Sequence, residues 1–132
     1  MGNLKFYKDD DVGLKSTGYR SQAIVTPEGM VFIAGQIGAD PQTKELVSEN
    51  MREQALRCLE NVEMVVEAAG GSRHDLTQLH VYITDTDLYP EFDQATKEFF
   101  GDNPPTRSVV GSSFLAADAL VEISGMAYIG RD

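Results

Sequence analysis

The sequence predicts an α/β fold of the α+β kind: one mixed β-sheet with two helices packed on one face. Three observations predict it. Two segments repeat apolar residues at spacings of three and four, the period of a helix. Several short runs are rich in β-branched and aromatic residues, as strands are. Glycine, proline and aspartate punctuate the boundaries, giving the order β-β-α-β-α-β-β, in which local hairpins and interleaved helices imply a mixed sheet.

Each element has its own reason. Residues 1–18 are mixed and charged, with the acidic run Asp9-Asp10-Asp11, and read as a solvated N-terminal segment or a short edge strand. Ser21–Val25 reads as a strand, Thr26-Pro27-Glu28-Gly29 as a tight turn, and Met30–Ala34 as a second strand. The latter is apolar throughout, so burial on both faces is expected. A loop from Gly35 to Lys44 follows, with an Asp40-Pro41 turn. Asn50 with Glu53 three residues on marks a helix start. Ala55, Cys58, Leu59, Val62, Val65, Val66 and Ala69 then form one apolar stripe, which Gly70-Gly71 ends.

Leu79–Ile83 alternates as a strand does. Pro90 opens a helix with the stripe Phe92, Ala95 and Phe99, and Gly101 stops it. Asn103-Pro104-Pro105 forces an extended entry to the strand Arg107–Ser113, and Leu120–Ile129 is the last strand. Two helices cover one face only. The other face is also poor in charge, so a partner is expected for it, and self-association is the economical answer for so short a chain.

The 132 residues make one domain, 1–132, and 42% apolar positions suffice for a core. The formal charge is −10, from 11 basic and 21 acidic residues. The cations Lys5, Lys8, Lys15, Lys44, Arg57, Lys97 and Arg131 are scattered, which argues against nucleic acid or an anionic membrane as partner. A small anionic metabolite could still meet one well-placed cation. A single cysteine, Cys58, allows no internal disulfide and fits a reducing, cytoplasmic setting; its place on the helix stripe makes it a core residue. No secretory or myristoylation signal is legible at the N-terminus, and the longest apolar stretch is far too short to span a bilayer. His74 and His80 have no ligand-like neighbours in sequence, so no metal site is expected.

Two residues stand out as chemistry. Arg107 opens an otherwise uncharged strand behind a rigid Pro-Pro-Thr. A guanidinium there needs an anion, which is either a structural acidic partner within the chain or a substrate carboxylate held bidentately. Glu122 is a lone carboxylate in the apolar strand Leu120-Val121-Glu122-Ile123. Strand alternation could turn it to solvent or to Arg107, or it could be a partly desolvated acid/base.

Gln54-Ala55, Leu59, Asn61-Val62 and Ala69-Gly70 resemble the helix signature of the RidA/YjgF family, also called L-PSP. Ser21-Gln22-Ala23, Gly35-Gln36-Ile37, Phe99-Phe100, Pro105-Thr106-Arg107-Ser108 and Val121-Glu122-Ile123 extend the resemblance, in order, from about Tyr19 to the C-terminus. It implies a chorismate-mutase-like fold and a homotrimer with ligand sites between subunits. The activity it implies is cofactor-free hydrolysis of reactive enamine/imine intermediates to 2-oxo acids and ammonia. The substrate type is 2-aminoacrylate, in tautomeric exchange with 2-iminopropionate.

By the same resemblance Arg107 binds the substrate carboxylate and Glu122 positions or activates water, while Tyr19, Arg20, Ala34, Gly35, Asp93 and Val109 surround the substrate. Four positions depart from the family pattern. Arg20 stands directly before Ser-Gln-Ala where many members have Tyr, Asp93 replaces an Asn, Val109 replaces a frequent Cys, and Ala116 replaces a Pro. These changes point to a distinct subfamily and touch the substrate more than the arginine-dependent chemistry. The competing functions are a non-catalytic carboxylate-binding or regulatory trimer and, disfavoured by the charge, an endoribonuclease.

Overall fold

The computed structural model describes residues 2–16 and 18–130. Met1, Arg131 and Asp132, at the ends of the expected domain, and Thr17, in the expected N-terminal segment, lie outside the described residues. The elements, in chain order, are β1 (Lys5–Tyr7), α1 (Asp9–Val12), β2 (Ala23–Val25), β3 (Met30–Ile37) and α2 (Met51–Ala68). β4 (Leu76–Ile83), α3 (Tyr89–Phe100), β5 (Thr106–Gly111) and β6 (Val121–Tyr128) follow. The strands form one sheet in the order β1-β2-β3-β6-β4-β5. All pairs are antiparallel except β4 with β5, whose parallel pairing needs the crossover that α3 supplies.

The sequence signals act where they were read. Asn50 Oδ1 accepts the Glu53 N–H at 3.0 Å and so satisfies one of the open donors at the start of α2. Gly70 follows the helix with φ +101°, a left-handed conformation that costs glycine nothing, and Gly71 N donates to Val66 O at 2.9 Å. In the β2–β3 turn, Thr26 Oγ1 accepts from Met30 N at 3.0 Å and Gly29 N donates to Thr26 O at 3.0 Å. Asp40 Oδ1 accepts from both Gln42 N and Thr43 N, which closes the Asp40-Pro41 turn.

The core lies between α2, α3 and one face of the sheet. Ala55, Cys58, Leu59, Val62, Val65 and Val66 of α2 are completely buried. So are Phe92 and Ala95 of α3, and Val31, Val121, Ile123 and Ala127 beneath them. Full burial of the Val, Leu, Ile and Phe side chains among them contributes roughly 1.5–3 kcal/mol each. Cys58 lies among them, with Sγ donating to Gln36 O at 3.3 Å.

Several boundaries differ from the sequence reading. The N-terminal segment supplies the edge strand β1, but its acidic run winds into the one-turn helix α1. Asp9 earns this turn its place: its Oδ2 accepts from Ser16 N and its Oδ1 from the buried Gln22. β3 runs to Ile37, past the expected end at Ala34, because a register shift between Ile33 and Gln36 lets it keep pairing with β6. Nor is β3 buried on both faces. Val31 and Ile33 face the helices, while Phe32 is 45% exposed on the other side.

That other face is open. The pairing registers set Phe6, Ile24, Phe32 and Met126 in one row across β1, β2, β3 and β6. Phe6, Phe32, Tyr82, Val110 and Tyr128 are all exposed. Among the described residues no helix is long and apolar enough to cross a membrane.

Burial pushes the Cys58 thiol far above its ordinary range, with the charge of Glu122 adding to the effect. A disulfide reagent is therefore expected to leave Cys58 unmodified in the folded protein and to label it only as fast as the chain unfolds. Labelling that is rapid in native buffer would show that the α2 stripe is not packed as described.

Candidate functional site

Strand alternation decides where the two candidate residues go. On β5, Arg107 pairs in register with Leu79 and Val109 with Val81, and both of those β4 residues are buried toward the helices. Arg107 therefore points to the helix face, at the edge strand of the sheet. On β6, Glu122 pairs with Tyr82 of β4 and Ile37 of β3, between the fully buried Val121 and Ile123. It therefore points to the open face. Arg107 and Glu122 are two strands apart, roughly 9–10 Å laterally, with the sheet between them.

The guanidinium of Arg107 rests on α3. Nη2 donates to Asp93 Oδ1 at 2.5 Å and to Tyr89 Oη at 2.7 Å; Nη1 donates to Thr96 Oγ1 at 3.0 Å. The Thr96 hydroxyl in turn donates to the Asp93 backbone carbonyl at 2.7 Å, which fixes its lone pairs toward the arginine. The rings of Phe92 and Tyr89 lie 5.3 and 5.7 Å from the guanidinium carbon. Of the two anions that sequence left open for Arg107, the one present is structural: Asp93 of the same chain. Even so, the arginine lines a cleft of about 210 Å³ with Asp93, Thr96, Lys97, Gly101, Pro104 and Pro105. The adjacent Arg107 guanidinium holds the Asp93 carboxyl below its usual range, with Lys97 helping.

Glu122 lines a second, smaller cleft of about 40 Å³ beside the C-terminal part of β3. Its cations are Lys15, Arg20 and Lys44, and Gly35, Gln36, Asp40 and Ala116 also line it. Gly35 is required here for space: a Cβ at this position would lie 2.6 Å from Glu122 Oε2.

The predicted residues thus divide into two groups. Asp93 and Arg107 meet on the helix face, and Val109 is half-buried beside them against the core. Arg20 and Gly35 gather around Glu122, with the half-buried Ala34 next to Gly35. Tyr19 lies fully exposed outside that cleft, in a surface groove shared with Arg20, Lys8 and Asp9.

Sequence reasoning missed Tyr89, Thr96 and Lys97 on one side and Lys15 and Lys44 on the other. The first group had a signal. Tyr89, Asp93 and Thr96 are spaced i, i+4, i+7, and so form a polar stripe beside the apolar one on α3.

A buried polar network braces the Glu122 side. Gln36 Nε2 donates to Gln22 Oε1 at 2.8 Å, and Gln22 Nε2 donates to Asp9 Oδ1 at 3.0 Å. Asn61 Nδ2 donates to the carbonyls of Ile37 and Ala39, and Arg57 Nε donates to Asn61 Oδ1. Gln54 reaches Ser48 O with its Nε2 and Leu120 N with its Oε1. These amides hold the chain on both sides of Gly35 and at the entry to β6, and so position Glu122 and Gly35; Gln36 and Asn61 also line the cleft. Among the described residues no three His, Cys, Asp or Glu side chains converge as metal ligands.

Comparison with known proteins agrees with this architecture. Residues 13–129 match the family model for endoribonuclease L-PSP. A RutC family protein of Pyrococcus abyssi is 37% identical over 114 residues, covering 86% of this chain and 89% of that protein. A 2-iminobutanoate/2-iminopropanoate deaminase of Dermatophagoides farinae is 34% identical, covering 75% and 77%. The crystal structure of TdcF from E. coli with bound serine superposes with a TM-score of 0.85 at 34% identity, covering 95% of this chain and 99% of that one.

The depressed pKa of Asp93 makes its pairing a stability contribution with a definite sign. It is fully present above the ordinary carboxylate value of 3.8 and is lost as pH falls through the lower folded-state value. Asp93→Asn is therefore expected to lower the urea midpoint at pH 7, and the gap to wild type is expected to be narrower at a pH well below 3.8. A gap that is equal at both pH values would mean that the charge of Asp93 contributes nothing.

Proposed function

The chain belongs to the endoribonuclease L-PSP family, and from that premise we propose that it hydrolyses reactive enamine/imine intermediates to 2-oxo acids and ammonia. The substrates are of the 2-aminoacrylate/2-iminopropionate type. Arg107 holds the substrate carboxylate and Glu122 handles the attacking water. The observation that carries the reading is the placement of Arg107: a rigidly seated guanidinium at a sheet edge, lining a cleft large enough for a small acid. The mite relative named as an imine deaminase and the serine held by TdcF support it.

The chemistry needs only water. A water oxygen adds to the electrophilic imine carbon while Glu122 takes its proton. That proton passes to the nitrogen to give the carbinolamine; its hydroxyl proton then moves to nitrogen through Glu122 as the C–N bond breaks and the C=O bond forms, and ammonia and the 2-oxo acid leave. Enamine substrates enter by tautomerising to the imine. Orientation of the carboxylate and water supplies part of the acceleration and proton transfer the rest.

Since Arg107 and Glu122 face opposite sides of one sheet, a working centre joins the arginine of one protomer to the glutamate of another. We place it in a homotrimer with its sites between subunits. The exposed apolar side chains of the open face, Phe32, Tyr82 and Val110 among them, supply a surface for that contact. Ribonuclease activity, which the family's description names, fits poorly with a net charge of −10 and no basic stripe.

The test couples an amino-acid oxidase, as imine source, to semicarbazide trapping. Wild-type protein is expected to suppress semicarbazone formation. Glu122→Gln should lower kcat by about 10²–10⁴-fold, as loss of a general base does. Arg107→Ala should raise KM more than it lowers kcat. Trapping that is the same with and without the wild-type protein would refute the deaminase.

A further inference from the structure

The fork of Arg107 is already in use, and the way it is used says how a ligand must bind. A guanidinium grips a carboxylate through two N–H groups on one edge, either both Nη atoms or Nε with one Nη. Nη2 of Arg107 has given one hydrogen to Asp93 and the other to Tyr89, and Nη1 has given one to Thr96. What is left, Nε–H and one Nη1–H, diverges and forms no edge. A bidentate grip therefore requires Nη2 to be released, and its anionic holder is Asp93.

Asp93 has a second cation within reach. Its Oδ2 lies 3.7 Å from Lys97 Nζ, one helical turn further along α3. Lys97 is 69% exposed, which leaves its side chain room to follow the carboxylate by rotation. Arg107, Asp93 and Lys97 together carry a net charge of +1, and all three line the same cleft. One added carboxylate leaves two cations paired with two anions.

We propose that Asp93 is a resident counter-ion that occupies the carboxylate position on Arg107, and that Lys97 takes Asp93 over when a ligand's carboxylate displaces it. This rests on the reading of Arg107 as the acid receptor. It makes Asp93 a specificity-determining residue. A small monocarboxylate binds by exchange, so its acid group gains only the difference between two ion pairs. Discrimination then passes to the rest of the ligand, and simple carboxylates are held weakly.

The experiment is a calorimetric titration with 2-oxobutanoate, a probe that does not turn over. It uses wild type, Asp93→Asn, Lys97→Met and the double variant, each first shown to be folded by circular dichroism. Asp93→Ser replaces Asp93→Asn if the latter does not fold. Removing the competitor is expected to tighten binding about tenfold, the scale of one charge-assisted hydrogen bond. Lys97→Met should weaken binding severalfold in the wild-type background and by less than twofold beside Asp93→Asn, since no displaced carboxylate then needs a cation. Binding by Asp93→Asn that is unchanged, weaker or undetectable overturns the proposal. An equal loss from Lys97→Met in both backgrounds overturns the exchange, because Lys97 would then touch the ligand itself. Imine turnover is not read here. Tighter binding by Asp93→Asn with no turnover in wild type keeps the exchange and removes the deaminase. Turnover with unchanged binding does the reverse.

Discussion

A β-sheet sends alternate side chains to opposite sides, and this chain's two candidate residues are arranged around that constraint. Arg107 sits opposite Leu79 and so faces the helices; Glu122 sits opposite Tyr82 and so faces away. No rotamer can bring the two together through the layer of backbone. On the proposed function the chain thus carries two partial sites, one a seated cation beside a cleft and the other a carboxylate in a smaller one. The same alternation leaves Phe32, Tyr82 and Val110 in solvent, because the two long helices among the described residues both lie on the other face. Under the proposed function, chemistry and hydrophobic exposure would both be met by a second copy, through independent physical terms.

The long elements were legible in the sequence because each is consistent at every level. α2 has its cap at Asn50, its apolar stripe, and its stop at Gly70. α3 has its proline, its aromatic stripe and Gly101. What escaped depends on contacts distant in sequence. α1 exists because Asp9 is bound by Ser16 and Gln22, and no four-residue segment announces that. The extension of β3 through Gln36 depends on a register shift against β6, which lies some eighty positions on in the chain. The exposure of Phe32 was misread because an apolar run looks the same whether its outer face is buried by its own chain or left for another.

The candidate site was half legible for a similar reason. A lone arginine in an uncharged strand demands an anion, and that demand was readable. Which of 21 acidic residues answers it was not, although Asp93 lies on a polar stripe with Tyr89 and Thr96. The motif residues Gln22, Gln36, Gln54 and Asn61 carried the resemblance, yet in the structure they are buried amides that hold backbone. All four side chains are buried, at most 5% exposed. In this fold such residues mark the scaffolding of a site rather than its reacting groups.

The way Arg107 is seated bears on whether a resident counter-ion is compatible with a receptor at all. An exposed ion pair contributes little to stability, and a guanidinium that lost its only partner would swing into solvent. Arg107 does not depend on Asp93 in this way. Thr96, locked by its own bond to the Asp93 carbonyl, and Tyr89 both accept from the fork, and the ring of Phe92 lies beside it. These neutral partners aim the guanidinium whether or not the Asp93 carboxylate is present. The backbone carbonyl that orients Thr96 stays put when the Asp93 side chain rotates, because it belongs to the helix. The charge can therefore be exchanged while the geometry is kept, and a site with that property can carry its own anion without losing its aim for another.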